Sequence, residues 1–183
     1  CRFLAAYPDL SVDLDERPSK HIALAIAEGR ADLGIVADVA DLTALETYLL
    51  TEDQLVVVAN RTHRIAALKA VTFGDIVREP FVGLADAALE IHLGEQASRL
   101  GCQMHYRVLM RNVEDVGMLV EAGVGLAILS EASAAGLDRP GLAILPLSEP
   151  WALRRLYLCA RNFSALTPHA ALLTQYLMVT GGV

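Results

Sequence analysis

The stretch that decides the fold runs from Tyr106-Arg-Val-Leu-Met110 through Val113-Glu-Asp-Val-Gly-Met-Leu-Val-Glu-Ala122 and Gly123 to Leu126-Ala-Ile-Leu129. Its pattern predicts a strand, a short helix that ends at a glycine, and a second, apolar strand. Two strands that are joined through a helix lie parallel in a sheet, with a right-handed crossover. The stretch therefore indicates the central part of an α/β lobe.

The same construction occurs earlier in the chain. Leu10-Ser-Val-Asp-Leu14 alternates as a half-buried strand does, Ile22-Ala-Leu-Ala-Ile-Ala-Glu28 has helical spacing, and Gly29 precedes the apolar run Leu33-Gly-Ile-Val36. Two copies predict two lobes, and two lobes predict a cleft that binds a ligand. Because strands and helices alternate along the remaining chain as well, we expect an α/β fold with mostly parallel sheets.

No flexible linker separates the two copies, so we expect the chain to pass between the lobes inside strands. The two strand-like runs at residues 55–60 and 153–161 are the best candidates for these crossings. The prediction places residues 1–59 with 161–183 in lobe I and residues 60–160 in lobe II.

Composition narrows the class of protein. The 183 residues are 54% hydrophobic, which is ample for a buried core, and 22 acidic against 15 basic residues give a formal charge of −7. A chain of this charge is a poor candidate for neutralising nucleic-acid phosphates. Three cysteines without dense spacing favour a reducing compartment, and no apolar run approaches the roughly 18 residues of a membrane span. The chain begins at Cys1 and reads as a piece of a longer protein, so the lack of a signal peptide says little.

The residues give no strong indication of a metal, a cofactor or a catalytic centre. Cys102 and His105 have the spacing of a metal-binding pair, but structural zinc needs two further ligands nearby. Gly123 and Gly125 resemble the start of a dinucleotide fingerprint, yet they follow a helix and enter a strand, which is the reverse of a phosphate loop. We therefore expect neither the Cys102–His105 pair to bind a metal nor the two glycines to bind a nucleotide, and we expect Gly123 to end its helix.

The candidate ligand contacts are turns where a strand ends and a helix begins. In open α/β sheets ligands bind at such turns, where backbone N–H groups and the helix dipole favour anions. Ser19 and Asn112 could each cap a helix and still offer hydrogen bonds, although a plain structural cap is an equally good interpretation. Asp86 would repel an anion unless it is paired. The full set is Ser19, Ala37, Asp38, Leu84, Ala85, Asp86, Arg111, Asn112 and Val113.

An ordered set of short motifs resembles the effector-binding domain of LysR-type transcriptional regulators. The motifs cover nearly the whole chain, and although no single one is diagnostic, their order is specific. They are Phe3-Leu-Ala-Ala-Tyr-Pro8, Ser19 ten residues before Gly29, Gly29-Arg-Ala-Asp-Leu-Gly-Ile35, Glu52-Asp-Gln-Leu-Val-Val-Val58 followed by His63, Pro80-Phe81-Val82, and Leu119-Val-Glu-Ala-Gly-Val-Gly-Leu-Ala-Ile-Leu129.

The resemblance implies two Rossmann-like lobes joined by two crossover strands, with a small effector in a central cleft, as in type 2 periplasmic-binding proteins. It also implies a cytoplasmic regulator that pairs as a homodimer, or as a tetramer of the longer protein, and that binds DNA through an N-terminal winged helix-turn-helix absent from this chain. By position, Ser19 matches a residue that often contacts effectors, and Ala37, the turn after Leu84 and the turn at Asn112 match other cleft positions.

The chain also departs from the family pattern. The usual first strand and the turn after it are absent, Ser130 replaces a usual proline, and Ala37 is small where some relatives carry arginine. The small side chain weakens the expectation of a strongly anionic effector. Two alternatives remain on sequence grounds: an extracytoplasmic solute receptor, and an enzyme of the same fold, for which Ser19, Asn112 and Asp86 form no recognisable catalytic set.

Overall fold

Helices and strands alternate along the chain in the computed structural model, which describes residues 2–15, 17–37, 41–85 and 87–180. Short 3-10 helices occur at Arg64–Ala67, Pro150–Ala152 and Phe163–Ala165. In chain order, the other elements are α1 (Arg2–Ala6), α2 (Ser19–Ala27), β1 (Gly34–Ala37), β2 (Glu46–Asn60), α3 (Phe73–Ile76), β3 (Pro80–Leu84), α4 (Ala87–Arg99), β4 (His105–Met110), α5 (Val113–Glu121), β5 (Ala127–Ser130), α6 (Glu131–Ala135), β6 (Leu142–Pro146), β7 (Leu153–Ala160) and α7 (Pro168–Thr180).

The chain divides into two units. Unit 1 comprises Cys1–Glu52 and Arg155–Val183, and unit 2 comprises Asp53–Arg154. Both divisions fall inside strands, one within β2 and the other within β7. The lobe boundaries predicted after residues 59 and 160 lie at the far ends of these same strands, and they stay predictions.

Unit 1 is built around the pairing of β1 with β7. The two strands are antiparallel, with Gly34 opposite Cys159 and Ala37 opposite Leu156. Helix α2 packs against β1, and the buried side chains of Ile26, Val36 and Cys159 form the apolar cluster of this unit. An added Cβ at Gly34 would lie only 2.5 Å from the Cγ2 of Ile22 in α2, so the close packing of this helix on the strand favours a glycine.

Unit 2 contains a strand that is buried on both faces. Within β2, the side chains of Leu55, Val57 and Ala59 enter one apolar cluster, whereas Val56 and Val58 enter a second. A strand with two buried faces requires a continuous apolar run rather than an alternating one, and residues 55–59 supply it. Strand β2 pairs antiparallel with β5 and with β6, and these pairings place the two clusters on opposite sides of it.

The second copy of the predicted unit forms as expected. Strand β3 pairs in parallel with β4, and Phe81 of β3 also makes a parallel bridge to Leu126, just before β5. Strands β4 and β5 are therefore joined through α5 around the central strand β3. The predicted helix stops are confirmed too: Gly29 and Gly123 have φ of +72° and +77°, values that a residue with a Cβ rarely adopts, and Gly101 after α4 has the same conformation with φ of +67°.

Two predictions about strands are wrong. Residues 10–14 form no strand, and Leu14 is 90% exposed, because no other described segment pairs with them. The sheets are also not mostly parallel: among the described strands, β1 with β7, β2 with β5, and β2 with β6 are antiparallel, whereas β3 with β4 is parallel. Local patterns predicted most of the helices and strands, but whether a strand forms and in which direction it runs depends on partners that are distant in sequence.

Candidate functional site

The predicted site residues of unit 1 come together at the start of α2. Ser19 is the first residue of the helix, and Pro18 precedes it with φ of −55° and ψ of 139° and no side-chain cap. The prediction of Ser19 as an N-cap is therefore wrong. Its Oγ instead accepts a hydrogen bond of 3.0 Å from the N–H of Ala37, at the end of β1. This hydrogen bond links the start of α2 to the end of β1, although Ser19 and Ala37 are 18 residues apart.

This edge of unit 1 offers hydrogen-bond donors. The Ser19 oxygen accepts from Ala37, and its hydroxyl proton has no acceptor among the described residues, so this proton could be donated to a ligand. The first turn of α2 contains no acidic residue, and Lys20 in that turn is exposed. The positive end of the helix dipole is therefore not offset by a carboxylate within the helix. Asp38, which the sequence placed at the same edge, lies outside the described residues.

The predicted site residues of unit 2 lie at the carboxyl ends of β3 and β4. Leu84 stands opposite Met110 in the parallel register, and the N–H of Ala85 donates to the carbonyl of Met110 at 2.7 Å. Because the two strands end together, the turns after them, which contain Ala85 and Arg111, share one edge of the sheet. Asp86 lies outside the described residues.

Asn112 caps α5, as the sequence predicts. Its Oδ1 accepts a hydrogen bond of 2.8 Å from the N–H of Glu114, which leaves the Nδ2 amide group as a donor. Val113 is half-buried and packs against the apolar cluster that contains Val56, and its predicted contact with a ligand stays a prediction. The first turn of α5 carries Glu114 and Asp115, and these carboxylates make it a poor place for an anion.

The region behind Leu84 contains a feature that the sequence did not reveal. Leu84 lines a small, largely apolar recess together with Glu90, Gly83 and Tyr106. Burial, and secondarily the charge of Glu90, raise the pKa of Tyr106 to about 12, so its hydroxyl is protonated at neutral pH. An added Cβ at Gly83 would collide with Leu109 and Tyr106. No local sequence signal marks such a recess, because its walls come from β3, α4 and β4.

The described residues contain no group of three or more His, Cys, Asp or Glu side chains that could hold a metal ion. The thiol of Cys102 is half-buried, and Cys159 is fully buried with its sulfur 3.4 Å from the carbonyl oxygen of Gly34. Burial raises the pKa of Cys159 to about 11, which keeps the thiol protonated and a weak nucleophile at neutral pH. Within the described ranges, no helix combines the length and apolar character that crossing a membrane requires.

Comparison with known proteins relates nearly the whole chain to one family and one fold. The family model of the LysR substrate binding domain matches residues 2–179. The uncharacterized HTH-type transcriptional regulator YwbI of Bacillus subtilis (strain 168) is 24% identical over 149 residues, which are 81% of this chain and 50% of that protein. The HTH-type transcriptional regulator BenM of Acinetobacter baylyi is 26% identical over 167 residues, or 88% of this chain and 55% of BenM. The chain thus spans about half the length of these curated relatives.

Solved structures are similar over the same extent. The regulatory domain of CcmR from Synechocystis PCC6803, in complex with 2-PG, has a TM-score of 0.73 at 21% identity, covering 98% of this chain and 88% of that one. The BenM effector-binding domain with its effector benzoate has a TM-score of 0.67 at 23% identity, covering 100% of this chain and 85% of that one. These likenesses confirm the predicted α/β fold of the type 2 periplasmic-binding-protein kind.

Proposed function

We propose, from the premise that this chain belongs to the LysR substrate binding domain family, that it senses the effector of a bacterial LysR-type transcriptional regulator. The observation that carries this function is the family match over residues 2–179. The relatives are transcriptional regulators rather than enzymes, which favours a sensor over both a solute receptor and a cleft enzyme. We propose no catalytic role for any residue.

The contacts of Ser19 and Asn112 support a particular effector chemistry. The Ser19 oxygen is already engaged by the N–H of Ala37, and the Asn112 Oδ1 by the N–H of Glu114. Each side chain therefore keeps a donor for a ligand, which favours an effector with oxygen acceptors. Benzoate, the effector named for BenM, is a carboxylate and fits this description.

The two edges differ in the charge that they accept. At the Ser19 edge the first turn of α2 is free of carboxylates, so an anionic oxygen is favoured there. At the Asn112 edge the first turn of α5 contains Glu114 and Asp115, so a neutral carbonyl or hydroxyl oxygen is favoured. We propose Ser19, Ala37, Leu84, Ala85, Arg111, Asn112 and Val113 as effector-contact positions, of which Val113 also packs against the apolar cluster of unit 2. Asp38 and Asp86 stay predictions from the sequence.

The activity of the whole protein is part of the proposal. Its relatives are about twice as long and are HTH-type regulators, so we propose that DNA is bound by a domain outside this chain. The formal charge of −7 supports this assignment, because DNA affinity comes largely from cationic side chains. We also propose that the regulator is cytoplasmic and pairs as a homodimer, and that the effector shifts the population of its conformations.

A binding assay with matched variants tests the site. Titration calorimetry with benzoate and a panel of small hydroxy- and keto-acids identifies a ligand, and Ser19→Ala is then expected to weaken its binding about tenfold, as loss of a hydrogen bond to a charged group does. Asn112→Asp is the sharper change at α5, because it keeps the oxygen that caps the helix and removes only the donor. Ser11→Ala, at an exposed position of unit 1, is the control.

Unchanged affinity in both Ser19→Ala and Asn112→Asp would rule out these contact positions. The assignment of DNA binding to another domain has a separate test, in which the purified chain is mixed with duplex DNA at low and at moderate salt. We expect no binding at either concentration. Salt-sensitive binding by this chain alone would contradict the assignment.

A further inference from the structure

His92 is a buried histidine in α4 that takes no part in the proposed effector site. Its side chain is 9% exposed, and its Nε2 is buried without a hydrogen-bond partner among the described residues. A buried polar atom without a partner costs free energy, and the cost is much larger when the group is charged. The surroundings of His92 therefore determine what happens when it takes up a proton.

The ring of His92 packs against Trp151, in the 3-10 helix Pro150–Ala152. The two ring centroids are 5.3 Å apart and the planes meet at 68°. On its other side Trp151 meets the ring of Phe73 at 5.3 Å and 87°. The neighbouring Glu149 contacts the same part of unit 2, because its Oε1 accepts a hydrogen bond of 2.5 Å from the N–H of Phe73.

The charges that face His92 oppose a second positive charge. Arg154 of β7 lies nearby and is itself held in an ion pair with Asp53 of β2, in which the side chains are only 18% and 11% exposed. On α4, Arg99 also opposes protonation and the exposed Glu95 favours it. Burial first, and then the charge of Arg154, lower the pKa of His92 below its ordinary 6.5. At neutral pH the imidazole is therefore uncharged.

We propose that His92, Trp151 and the Asp53–Arg154 ion pair form an acid-sensitive latch that holds α4 against the start of β7. When His92 binds a proton at its free ring nitrogen, the cation cannot remain beside Arg154 in a dry setting, so α4 separates from Trp151. The latch goes beyond effector sensing and requires no effector. It also connects to the site edge of unit 2 along the chain, because α4 begins two residues after Ala85.

The direction of the pH effect follows from the lowered pKa. The unfolded or opened state binds the proton more readily than the latched state, so the latch is fully formed above the ordinary histidine pKa of 6.5. Its stability falls as the pH drops from that value toward the pKa of the latched state. Above neutrality the latch does not change with pH.

Trp151 is the one tryptophan of the chain, so its fluorescence reports directly on the latch. We expect a reversible red shift of its emission, and about a twofold rise in quenching by acrylamide, as the pH falls from about 8 to about 5. His92→Gln removes the titrating group and is expected to abolish this transition. His105→Gln, at an exposed histidine of β4, is the matched control and is expected to retain it.

Persistence of the transition in His92→Gln would overturn the proposal, since a carboxylate such as Glu149 would then be its source. Because His92→Gln could also disturb folding, proton NMR of the histidine rings in the unaltered chain supplies a second test. A pKa of His92 at or above 6.5, or titration of His92 while Trp151 emission stays constant, would equally overturn it.

Discussion

Units 1 and 2 share a helix–glycine–strand pattern, yet they differ in how much apolar surface they bury. Unit 2 contains two apolar clusters, one on each face of β2, with large rings such as Phe73 and Phe81 fully buried. The cluster around β1 in unit 1 has only Ile26, Val36 and Cys159 as its buried members among the described residues. The larger core of unit 2 is therefore expected to dominate the stability of the chain.

The difference can be traced to partners for strands. Residues 10–14 alternate apolar and polar side chains and β4 alternates exposed and half-buried ones, but β4 lies beside β3 whereas residues 10–14 are paired with no described strand. Val12 and Leu14 are exposed as a result. An alternating sequence indicates what a segment can form, and a neighbouring strand decides whether it forms.

Truncation of a buried aromatic ring is expected to show the largest difference in unfolding free energy between the two units. Phe81→Ala should lower the free energy of unfolding by about 3–5 kcal/mol, because the ring is enclosed in a large cluster that cannot collapse around the cavity. Phe3→Ala in unit 1 is the matched variant. Its ring meets Tyr7 at 5.0 Å and Tyr176 at 5.3 Å, and these partly exposed rings can move into the space, so a loss below about 3 kcal/mol is expected. An equal loss in urea denaturation would contradict the difference between the units.

The next largest difference in stability is expected for two ion pairs, one in each unit, whose residues are neighbours in the sequence. Asp53→Asn in unit 2 leaves Arg154 unpaired in a largely buried place and is expected to cost about 3 kcal/mol. Glu52→Gln in unit 1 breaks the exposed pair with Arg155 and is expected to cost less than about 1 kcal/mol. Double-mutant cycles with Arg154→Met and Arg155→Met measure the two coupling energies. A coupling as large for the exposed pair as for the buried one would show that burial does not set the difference.

The helix stops should behave alike in both units. Gly29→Ala and Gly123→Ala each force a side chain into the left-handed region, and each should cost about 1 kcal/mol. Thermal denaturation compares them. A difference of more than about 1 kcal/mol would mean that contacts of the new methyl group, such as that with Arg161 near Gly29, outweigh the backbone conformation.

The smallest effect is expected in the segment that failed to form a strand. Leu14→Ser should change the free energy of unfolding by no more than about 0.5 kcal/mol, because the side chain is already in water. Leu109→Ser in β4 is the counterpart and should cost about 1 kcal/mol, since that leucine is half covered and packs beside Gly83. A loss above 1 kcal/mol for Leu14→Ser would show that residues 10–14 are packed in solution.

Local signals in the sequence were sufficient for several helix ends. Gly29 and Gly123 were predicted as helix stops, and Asn112 as a cap, because each depends on residues within one turn. Ser19 was predicted wrongly, since its oxygen bonds to an N–H 18 residues away. Strand direction was wrong for the same reason: the partner of β1 is β7, more than a hundred residues later.

The sequence was sufficient to place two of the candidate turns at one sheet edge, but not to show which of their groups a ligand could bind. The ends of β3 and β4 could be placed together from the rule for parallel strands, and the structure brings Leu84 beside Met110. Which hydrogen-bonding groups stay available depends on contacts that no local pattern encodes, such as that between Ser19 and Ala37. The Tyr106 recess and the His92 latch were missed because each is assembled from three or more elements.

The two-sided burial of β2 limits how the gene for this chain can change in length. Side chains in a strand alternate between its faces, so inserting or deleting one codon within residues 55–59 would exchange the residues that enter the two clusters. Both clusters would then have to be rebuilt at once, which no single further substitution achieves. Insertions and deletions that survive selection are therefore expected in the connections that flank β2, such as residues 61–70, and this strand should keep a constant length as the rest of the chain diverges.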